Sequence, residues 1–419
     1  MPVLVINGGK RLSGEAEMHG AKNSALPVLA AAIAAQGVCE IHNCPQLTDI
    51  DAAGAILRYL GCAAERDGDV FTVDSSCLTR CDIPERLMRR MRSSVAFLGA
   101  MLTRCEEVRF SAPGGCELGP RPIDLHLDSF RKMGVSVIEQ GGCVILKRRG
   151  RLRAAGIQLS FPSVGATENI MTAAVTADGT TTVTNAACEP EIVDLANFLR
   201  SCGARIKGDG TTEITVEGVE RLHGCVHSVI PDRIEAATYM AAAAVTGGCV
   251  TLRKVCPRHL LPVLPAFERM HCRVESSGDI IRVTAPARLR AAGYIRTMPY
   301  PGFPTDAQAI VMACACTADG STVINETIFD SRFRHACELR RMGARIKTDG
   351  RIAVVEGVGR LCGANVFATD LRGAAAMVVA GLSAEGVTTV SQLHHLDRGY
   401  QDTERTLSAL GADIKRTDG

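Results

Sequence analysis

Residues 340–346 read Arg340-Arg341-Met342-Gly343-Ala344-Arg345-Ile346, the tail of a helix followed by a glycine and the start of a strand. The glycine fits the position just beyond a helix, where a positive φ is needed. The alternation that follows, Ile352-Ala353-Val354-Val355-Glu356-Gly357, is typical of a strand. The stretch therefore predicts a helix that ends at Gly343 and leads into two short strands.

This pattern occurs six times, at intervals of about 70 residues. His271 stands in the fourth copy where the other copies have glycine. The other five copies read Arg58-Tyr59-Leu60-Gly61-Cys62-Ala63, Arg131-Lys132-Met133-Gly134-Val135, Arg200-Ser201-Cys202-Gly203-Ala204-Arg205-Ile206, Glu268-Arg269-Met270-His271-Cys272-Arg273-Val274 and Ser408-Ala409-Leu410-Gly411-Ala412-Asp413-Ile414. A second element recurs in most units: a small-residue helix, a turn that ends in glycine and a β-branched strand, as in Ala318-Asp319-Gly320-Ser321-Thr322-Val323-Ile324.

Each repeat predicts a mixed α/β unit with two helices and several strands. A chain of 419 residues is too long for one ordinary core and favours two domains of roughly 200 residues each. Three units packed around buried helices would form one domain, and six units would form two. Repetition does not specify chemistry, so a purely structural repeat protein remains an alternative at this point.

The amino-acid composition limits which partners and cofactors we expect for this chain. The chain has 46% apolar residues and a formal net charge of +2, from 47 basic and 45 acidic residues, so its overall charge favours neither a nucleic-acid nor a membrane partner. The 18 cysteines show no convincing zinc spacing, and we expect no metal or other cofactor. The chain opens without a secretory pattern, so we expect reduced thiols and a cytoplasmic protein.

Two segments depart from the repeat and carry chemical groups. In His19-Gly20-Ala21-Lys22-Asn23 small residues let the backbone approach a ligand, and Lys22 offers a mobile cation where a helix is predicted to start. The alternative is a plain strand-to-helix turn with a solvated lysine. Residues 111–126 are rich in glycine and proline and are predicted to be a loop, in which Cys116 lies near Arg121. Arginine beside a thiol can lower its pKa and make it reactive, although Cys116 could equally be a structural cysteine.

A third segment places Asp306 at the start of a helix, after a turn rich in proline. Asp306 could be a helix N-cap or a first-turn acid, which is the more common use, or a base that takes a proton from a hydroxyl group. Four arginines lie outside the helical repeats, and several of them together could bind a phosphate and a carboxylate: Arg92, Arg332, Arg372 and Arg398.

These segments, in this order, resemble the UDP-N-acetylglucosamine enolpyruvyl transferases over residues 4–416. The motifs that carry the resemblance are G-A-K-N-S-A-L-P, P-G-G-C-x-L-G-x-R-P-I-D-L-H, S-V-G-A-T-E-N-I-M, E-P-E-I-V-D-L-A, F-P-T-D-x-Q, D-L-R and H-x-D-R-G-Y. The resemblance implies an inverted α/β barrel of two domains with three repeated units each. One domain would hold residues 21–229 and the other residues 1–20 with 230–419, with the active site in the cleft between them.

The resemblance also implies substrates and residue roles. The enzymes of this family transfer the enolpyruvyl group of phosphoenolpyruvate to UDP-N-acetylglucosamine, the first committed step of peptidoglycan synthesis, which supports cell shape and division. Cys116 matches the family's proton donor, which can form a covalent adduct with phosphoenolpyruvate and is the target of fosfomycin, and Asp306 matches a catalytic carboxylate. The positions that match phosphoenolpyruvate-binding residues are Lys22, Asn23, Arg121, Arg372 and Arg398. The positions that match sugar-nucleotide-binding residues are Arg92, Arg121, Pro122, Ile123, Asp124, Leu125, Ser163, Val164, Gly165, Asp306 and Ile328.

Two alternatives and one departure accompany the resemblance. The alternatives are the sister enzyme that acts on shikimate 3-phosphate and a catalytically silent paralogue. Some family members carry Lys-Val where this chain has Phe161-Pro162, which removes a basic contact to the nucleotide. The sequence does not indicate an oligomeric state.

Overall fold

The computed structural model describes residues 2–111 and 123–418, and these form two compact units. Unit A comprises residues 20–111 and 123–230, and unit B comprises residues 2–19 and 231–418. Unit B begins with strands β1 (Pro2–Asn7) and β2 (Ser13–Glu17). The chain then forms the whole of unit A before it returns to unit B.

Unit A contains seven α-helices in its described ranges, with 3₁₀ turns at Ala32–Ala35 and Arg92–Ala96. The helices are α1 Lys22–Ala31, α2 Thr48–Leu60, α3 Glu85–Met88, α4 Phe97–Arg104, α5 Asp124–Lys132, α6 Val164–Ala174 and α7 Pro190–Ser201. The strands are β3 Val38–His42, β4 Ala63–Asp67, β5 Val70–Asp74, β6 Asp82–Ile83, β7 Glu107–Ser111, β8 Ser136–Gln140, β9 Cys143–Lys147, β10 Gly156–Gln158, β11 Thr180–Thr184, β12 Arg205–Lys207, β13 Glu213–Glu217 and β14 Val226–Ser228.

Unit B continues with a further set of helices and strands and one 3₁₀ turn, Leu393–His395. The helices are α8 Arg233–Val245, α9 Pro257–Leu260, α10 Leu264–Arg269, α11 Thr305–Ala315, α12 His335–Arg341, α13 Leu371–Ser383 and α14 Thr403–Ala409. The strands are β15 Cys249–Arg253, β16 Arg273–Ser277, β17 Ile280–Thr284, β18 Tyr294–Arg296, β19 Ser321–Asn325, β20 Arg345–Asp349, β21 Ile352–Glu356, β22 Asn365–Phe367, β23 Val387–Ser391 and β24 Asp413–Asp418.

The described strands form six four-stranded sheets of one design, three in each unit. Unit A has the orders β14-β3-β5-β4, β6-β7-β9-β8 and β10-β11-β13-β12, and unit B has β2-β15-β17-β16, β18-β19-β21-β20 and β22-β23-β1-β24. In each sheet the first pair is parallel and the other two pairs are antiparallel, as in β18, β19, β21 and β20. The six predicted repeats and their mixed α/β character are confirmed.

The N-terminal strand belongs to the last of the six sheets. Strand β1 lies between β23 and β24, with Leu4 opposite both Val390 and Arg416. Its buried residues, Leu4 and Ile6, alternate with more exposed ones, as expected for a strand that covers a core on one face. The sixth repeat is therefore completed by residues from the other end of the chain.

The core of each unit is built on helices that are buried on nearly all sides. In unit B, α8, α11 and α13 pack against one another, and every residue of α11 from Ala307 to Ala315 is buried. In unit A, α1, α4 and α6 occupy the corresponding place. A helix that is apolar all round must be buried, and the many alanines in these helices let their backbones approach closely. The prediction of three units around buried helices is confirmed.

The predicted glycine turns are also confirmed. Each helix that ends a repeat is followed by a residue with positive φ, and the five glycines at this position have φ values from +88° to +101°. His271 occupies the same position after α10 with φ +65°. A non-glycine residue in this conformation is strained because its Cβ approaches the neighbouring carbonyl oxygen.

Two cysteines of unit A are paired in the structure. Cys81 and Cys105 form a disulfide, so the prediction of reduced thiols is wrong for this pair. The two residues precede the parallel neighbours β6 and β7, and this adjacency brings their Cα atoms to 6.0 Å.

None of the helices in the described ranges combines the length and hydropathy that crossing a bilayer requires.

Candidate active site

Lys22 lies at the first residue of α1, where the sequence predicted a helix to start. Its side chain is buried, and its Nζ lies 2.9 Å from Oδ2 of Asp49, itself buried in the first turn of α2. The prediction of a mobile cation is therefore wrong, and so is the alternative of a solvated lysine. A carboxylate fixes the ammonium group at a helix N-terminus, an arrangement that presents positive charge in one defined place.

The sequence predicted that small residues such as Gly20 let the backbone approach a ligand. In the structure, the close approach at Gly20 is to another segment of backbone. A Cβ atom at Gly20 would lie 1.7 Å from the carbonyl oxygen of Asn43. The glycine therefore lets two backbone segments of unit A touch, and the main-chain N–H of Ala21 donates to the carbonyl of Ile230 at 2.7 Å. These contacts fix where α1 begins, and with it the position of Lys22. Asn23, the second residue of α1, is half-buried.

Most of the described positions matched to the sugar nucleotide lie at helix starts in unit A. Ser163 is the N-cap of α6, with Val164 and Gly165 in the first turn, and its hydroxyl accepts the N–H of Ala166 at 3.3 Å. Ile123 is the N-cap of α5, whose first residues are Asp124 and Leu125, and Arg92 begins the 3₁₀ turn Arg92–Ala96. Both α5 and this 3₁₀ turn pack against α6. Helix starts carry free N–H groups and partial positive charge, which suits a diphosphate.

His126 joins these segments, although the sequence analysis did not assign it a role. Its Nδ1 lies 3.0 Å from the amide nitrogen of Asn169 in α6, and its ring lies where a Cβ on Gly165 would meet it at 3.3 Å. Burial lowers the pKa of His126 to about 4, and the positive charge of Arg92 contributes to the shift. His126 is therefore a neutral ring that packs α5 against α6.

Asp306 is held by two arginines in unit B. Its Oδ1 accepts a hydrogen bond of 3.0 Å from Nη2 of Arg332, and its Oδ2 accepts one of 2.8 Å from Nη2 of Arg372. The side chains of both arginines are 3% exposed, whereas that of Asp306 is 28% exposed. The carboxylate is thus the accessible member of a buried ionic cluster.

Asp306 is not the N-cap of α11, which is Pro304, but it is the acidic residue in the first turn of that helix, as the second form of the structural alternative predicted. In α13 the N-cap position is Asp370, whose Oδ1 accepts the main-chain N–H groups of Arg372 at 3.0 Å and Gly373 at 3.1 Å. Burial opposes ionisation of Asp370, but the charge of Arg332 and these N–H groups lower its pKa. The D-L-R motif therefore combines a helix cap with the arginine that holds Asp306.

Further buried groups orient Arg372. Its Nη1 donates to the hydroxyl of Tyr400 at 3.1 Å, and that hydroxyl lies 2.9 Å from the hydroxyl of Thr238. Burial alone would lower the pKa of Arg372, but the nearby negative groups, Asp306 above all, raise it. The guanidinium stays charged and fixed.

Glu326 connects Ile328 to the start of α11. Its Oε1 accepts the main-chain N–H of Ile328 at 2.8 Å, and its Oε2 accepts the hydroxyl of Thr305 at 2.9 Å. Glu326 is 1% exposed. One buried carboxylate thus places Ile328 beside the residue that precedes Asp306.

The remaining predicted residues are less fully defined. Arg398 is half-buried in the segment between the 3₁₀ turn Leu393–His395 and α14. Cys116, Arg121 and Pro122 lie outside the described residues. The structure brings Asp306, Arg372 and Ile328 into one neighbourhood of unit B, and Arg92 and the helix starts of α5 and α6 into one neighbourhood of unit A.

Sequence reasoning missed three carboxylates that support these clusters: Asp49, Glu326 and Asp370. Each is buried and acts on a predicted residue or on its immediate neighbour. A signal existed for Asp370, since an aspartate two residues before Arg372 at the start of a small-residue helix is a typical N-cap. No local pattern distinguished Asp49 or Glu326 from the other acidic residues of the chain.

Known proteins resemble this chain in sequence and fold over nearly its whole length. A family model described as EPSP synthase (3-phosphoshikimate 1-carboxyvinyltransferase) matches residues 6–407. The enolpyruvyl transferase NikO from Streptomyces tendae superposes with a TM-score of 0.90 and 31% identity over 99% of both chains. An EPSP synthase from Acinetobacter baumannii shares the fold, with a TM-score of 0.75 and 19% identity over 100% of both chains. The chain belongs to this family of enolpyruvyl (carboxyvinyl) transferases, which confirms the predicted fold class.

Curated relatives within the family are more similar in sequence. A UDP-N-acetylglucosamine 1-carboxyvinyltransferase 2 from Caldanaerobacter subterraneus is 50% identical over 98% of both chains. Proteins named UDP-N-acetylglucosamine 1-carboxyvinyltransferase 1 are 48% identical in Symbiobacterium thermophilum, over 98% of this chain and 94% of that protein, and 46% identical in Carboxydothermus hydrogenoformans, over 100% and 99%. The resemblance drawn from the motifs is confirmed.

Proposed function

We propose that this chain transfers the enolpyruvyl group of phosphoenolpyruvate to the 3'-hydroxyl of UDP-N-acetylglucosamine and releases phosphate. The observation that carries the proposal is the full-length similarity to three proteins named for this reaction, at 46–50% identity. The reaction would commit the sugar nucleotide to peptidoglycan, and so would support cell-wall synthesis, cell shape and division. The cytoplasmic location stays a prediction.

The reaction needs one proton removed and one supplied. The acceptor oxygen bonds to C2 of phosphoenolpyruvate while C3 gains a proton, and loss of phosphate and of one C3 proton then restores the double bond. Asp306 is proposed to take the hydroxyl proton, since it is a carboxylate and the exposed member of its cluster. Cys116 is proposed to supply the proton to C3.

Two arginines make Asp306 a well-placed base. Because Arg332 and Arg372 each hold one oxygen, the carboxylate has a single orientation toward a substrate hydroxyl. The same guanidinium charge is positioned to stabilise negative charge that develops on the phosphate.

Binding of phosphoenolpyruvate is assigned to Lys22, Asn23, Arg121, Arg372 and Arg398. Lys22 supports this role because Asp49 fixes its ammonium group at the start of α1. Lys22 and Arg372 are each held by a carboxylate, and fixed charges lose little entropy when they bind an anion.

Binding of the sugar nucleotide is assigned to Arg92, residues 121–125, residues 163–165, Asp306 and Ile328. Support comes from the helix starts of α5 and α6, which provide N–H donors for phosphate oxygens. Phe161 is 42% exposed next to this segment and offers an apolar surface where some family members have a lysine.

Phosphate release measured with the full chain tests the proposal. We expect phosphate from phosphoenolpyruvate with UDP-N-acetylglucosamine and none with shikimate 3-phosphate. Phosphate with shikimate 3-phosphate alone would instead assign the sister reaction. No phosphate with either acceptor, from folded protein that binds UDP-N-acetylglucosamine, would assign a silent paralogue. Either result would refute the proposal.

A further inference from the structure

Three cysteines that are far apart in the sequence meet in unit A. The Sγ atoms of Cys39, Cys202 and Cys225 all lie within 4.8 Å of one another, and those of Cys202 and Cys225 are 3.3 Å apart. We refer to these three residues as the thiol trio. Cys39 and Cys202 are buried, and Cys225 is half-exposed.

Regular structure holds the trio in place. Cys39 lies on β3 and Cys225 precedes β14, the parallel neighbour of β3, and the N–H of Glu40 donates to the carbonyl of Cys225 at 2.9 Å. A Cβ atom on Gly224 would lie 2.0 Å from the carbonyl oxygen of Val38, so this glycine permits the close approach of the two strands.

Cys202 is fixed in an equally regular way at the end of α7. Its N–H donates to the carbonyl of Phe198 at 3.0 Å, and its own carbonyl accepts the N–H of His223 at 3.0 Å. The thiols therefore converge from two adjacent strands and a helix end, all of which are hydrogen-bonded.

The spacing of the sulfur atoms suits a metal ion. Zinc–sulfur bonds of about 2.3 Å in a tetrahedron place the sulfur atoms about 3.8 Å apart. The sulfur atoms of Cys202 and Cys225 are 3.3 Å apart and no separation in the trio exceeds 4.8 Å, so small side-chain rotations would bring the three to this distance. Three thiolates select zinc and other thiophilic ions over magnesium or calcium.

We propose that Cys39, Cys202 and Cys225 form a structural binding site for a thiophilic metal ion, with Zn²⁺ as the occupant. Each thiol gives up its proton as its sulfur binds the ion. Water can supply the fourth ligand of a tetrahedral ion. The site links β3, near the start of unit A, to the segment 202–225 near its end. None of the three residues belongs to the proposed substrate-binding set.

The sequence did not reveal this site because zinc ligands are usually recognised by two pairs of closely spaced residues. Here each ligand comes from a separate element, and the fold alone brings them together.

Metal titration of the reduced, metal-free full chain tests the site. Co²⁺ should bind with one-to-one stoichiometry and give a thiolate-to-cobalt charge-transfer band, which Zn²⁺ should abolish by displacing it. The variants Cys39→Ser, Cys202→Ser and Cys225→Ser should each weaken Co²⁺ binding at least about a hundredfold, since each removes a direct ligand.

Two variants serve as matched controls. Cys44→Ser alters another buried cysteine of unit A, and Cys143→Ser alters an exposed one, and both should bind Co²⁺ like the unchanged protein. Zn²⁺ should raise the Tm of the unchanged protein and of the controls but not that of the trio variants. Because Cys225 is half-exposed, Cys225→Ala provides a second variant if a serine at a buried position prevents folding.

Three outcomes would overturn the proposal. One is the absence of stoichiometric Co²⁺ binding, and another is a charge-transfer band that the trio variants leave unchanged. The third is a Cys202–Cys225 disulfide in protein isolated under air, together with no Co²⁺ band after reduction. That result would make Cys202 and Cys225 a redox pair.

Discussion

Asp306 and Arg372 lie 66 residues apart in the chain, and a hydrogen bond of 2.8 Å joins Oδ2 of the first to Nη2 of the second. Arg372 is the second residue of α13, and Asp306 is the second residue of α11, and both are core helices of unit B. The packing of α11 against α13 therefore sets the distance between the proposed base and a fixed positive charge. A catalytic geometry of this kind depends on the core of the unit rather than on a loop.

Asp306→Asn should lower kcat by about two to four orders of magnitude, because the variant loses the group that takes the hydroxyl proton. KM for UDP-N-acetylglucosamine should change little. Steady-state kinetics on folded protein measures both values. The matched control is Asp330→Asn, the same exchange in an exposed ion pair with Arg351, and it should leave kcat unchanged. Normal turnover of Asp306→Asn would leave Asp306 with a structural role only.

Fosfomycin should alkylate Cys116 and spare the other cysteines, since the proposed anion-binding residues hold its phosphonate beside that thiol. Many other thiols are poor nucleophiles here, because burial raises the pKa of Cys44 and of Cys272 to about 12. Peptide mapping after treatment identifies the modified residue. The variant Cys116→Asp should show no labelling.

Cys249 provides the strictest internal comparison for that experiment. It is half-exposed, and hydrogen bonds from Thr284 and Arg282 lower its pKa. A reaction governed by thiol reactivity alone would therefore modify Cys249. Labelling there, in preference to Cys116, would contradict the assignment of Cys116.

His271→Gly should stabilise unit B by up to about 1 kcal/mol, because glycine adopts the left-handed conformation at this position without strain. The reverse change in another repeat, Gly343→His, should destabilise the same unit by about 1 to 2 kcal/mol. A steric clash does not contribute to the effect of Gly343→His near the backbone, since a Cβ on Gly343 would meet nothing within 4 Å. Urea unfolding of the two variants measures the difference, and equal midpoints would show that the φ at this position has no energetic consequence.

His126 should make stability depend on pH. Its pKa is about 4 in the folded chain, chiefly through burial, and about 6.5 in the unfolded chain. Since the folded-state pKa is the lower one, the unfolded chain binds more protons between these values. The contribution of neutral His126, on the order of 3 kcal/mol, is present above about pH 6.5 and is lost as the pH falls toward 4.

The variant His126→Gln should therefore lose less unfolding free energy than the unchanged protein between pH 6.5 and pH 4. Urea unfolding at a series of pH values measures the two slopes. His42→Gln, at a half-exposed position of unit A, is the control and should keep the slope of the unchanged protein. Parallel slopes for His126→Gln and the unchanged protein would argue against a neutral buried ring.

The sequence predicted the repeated unit correctly. It did not predict which charged side chains are buried or which partners they have. Glycines after helices and alternating strands depend on local backbone geometry, so Gly343 and residues 352–356 were predictable from a few neighbours. The burial of Lys22 depends on Asp49, which comes from the next helix.

In the candidate site, too, the sequence identified residues but not the contacts between them. The motifs identified Asp306 and Arg372 by resemblance, but their hydrogen bond and the second one from Arg332 follow from how α11 and α13 pack. The thiol trio was missed for this reason as well, because its members come from three separate elements.

The place of β1 in its sheet has a consequence for synthesis on the ribosome. Strand β1 is made before the other described strands, but its partners β23 and β24 are the last of those strands to be made. At about 5 to 20 residues per second, the first strand waits roughly 20 to 75 s for its neighbours. Unit A can complete its sheets in the meantime, whereas nascent unit B carries an unpaired hydrophobic strand, open to chaperones or aggregation, until β23 and β24 have been made.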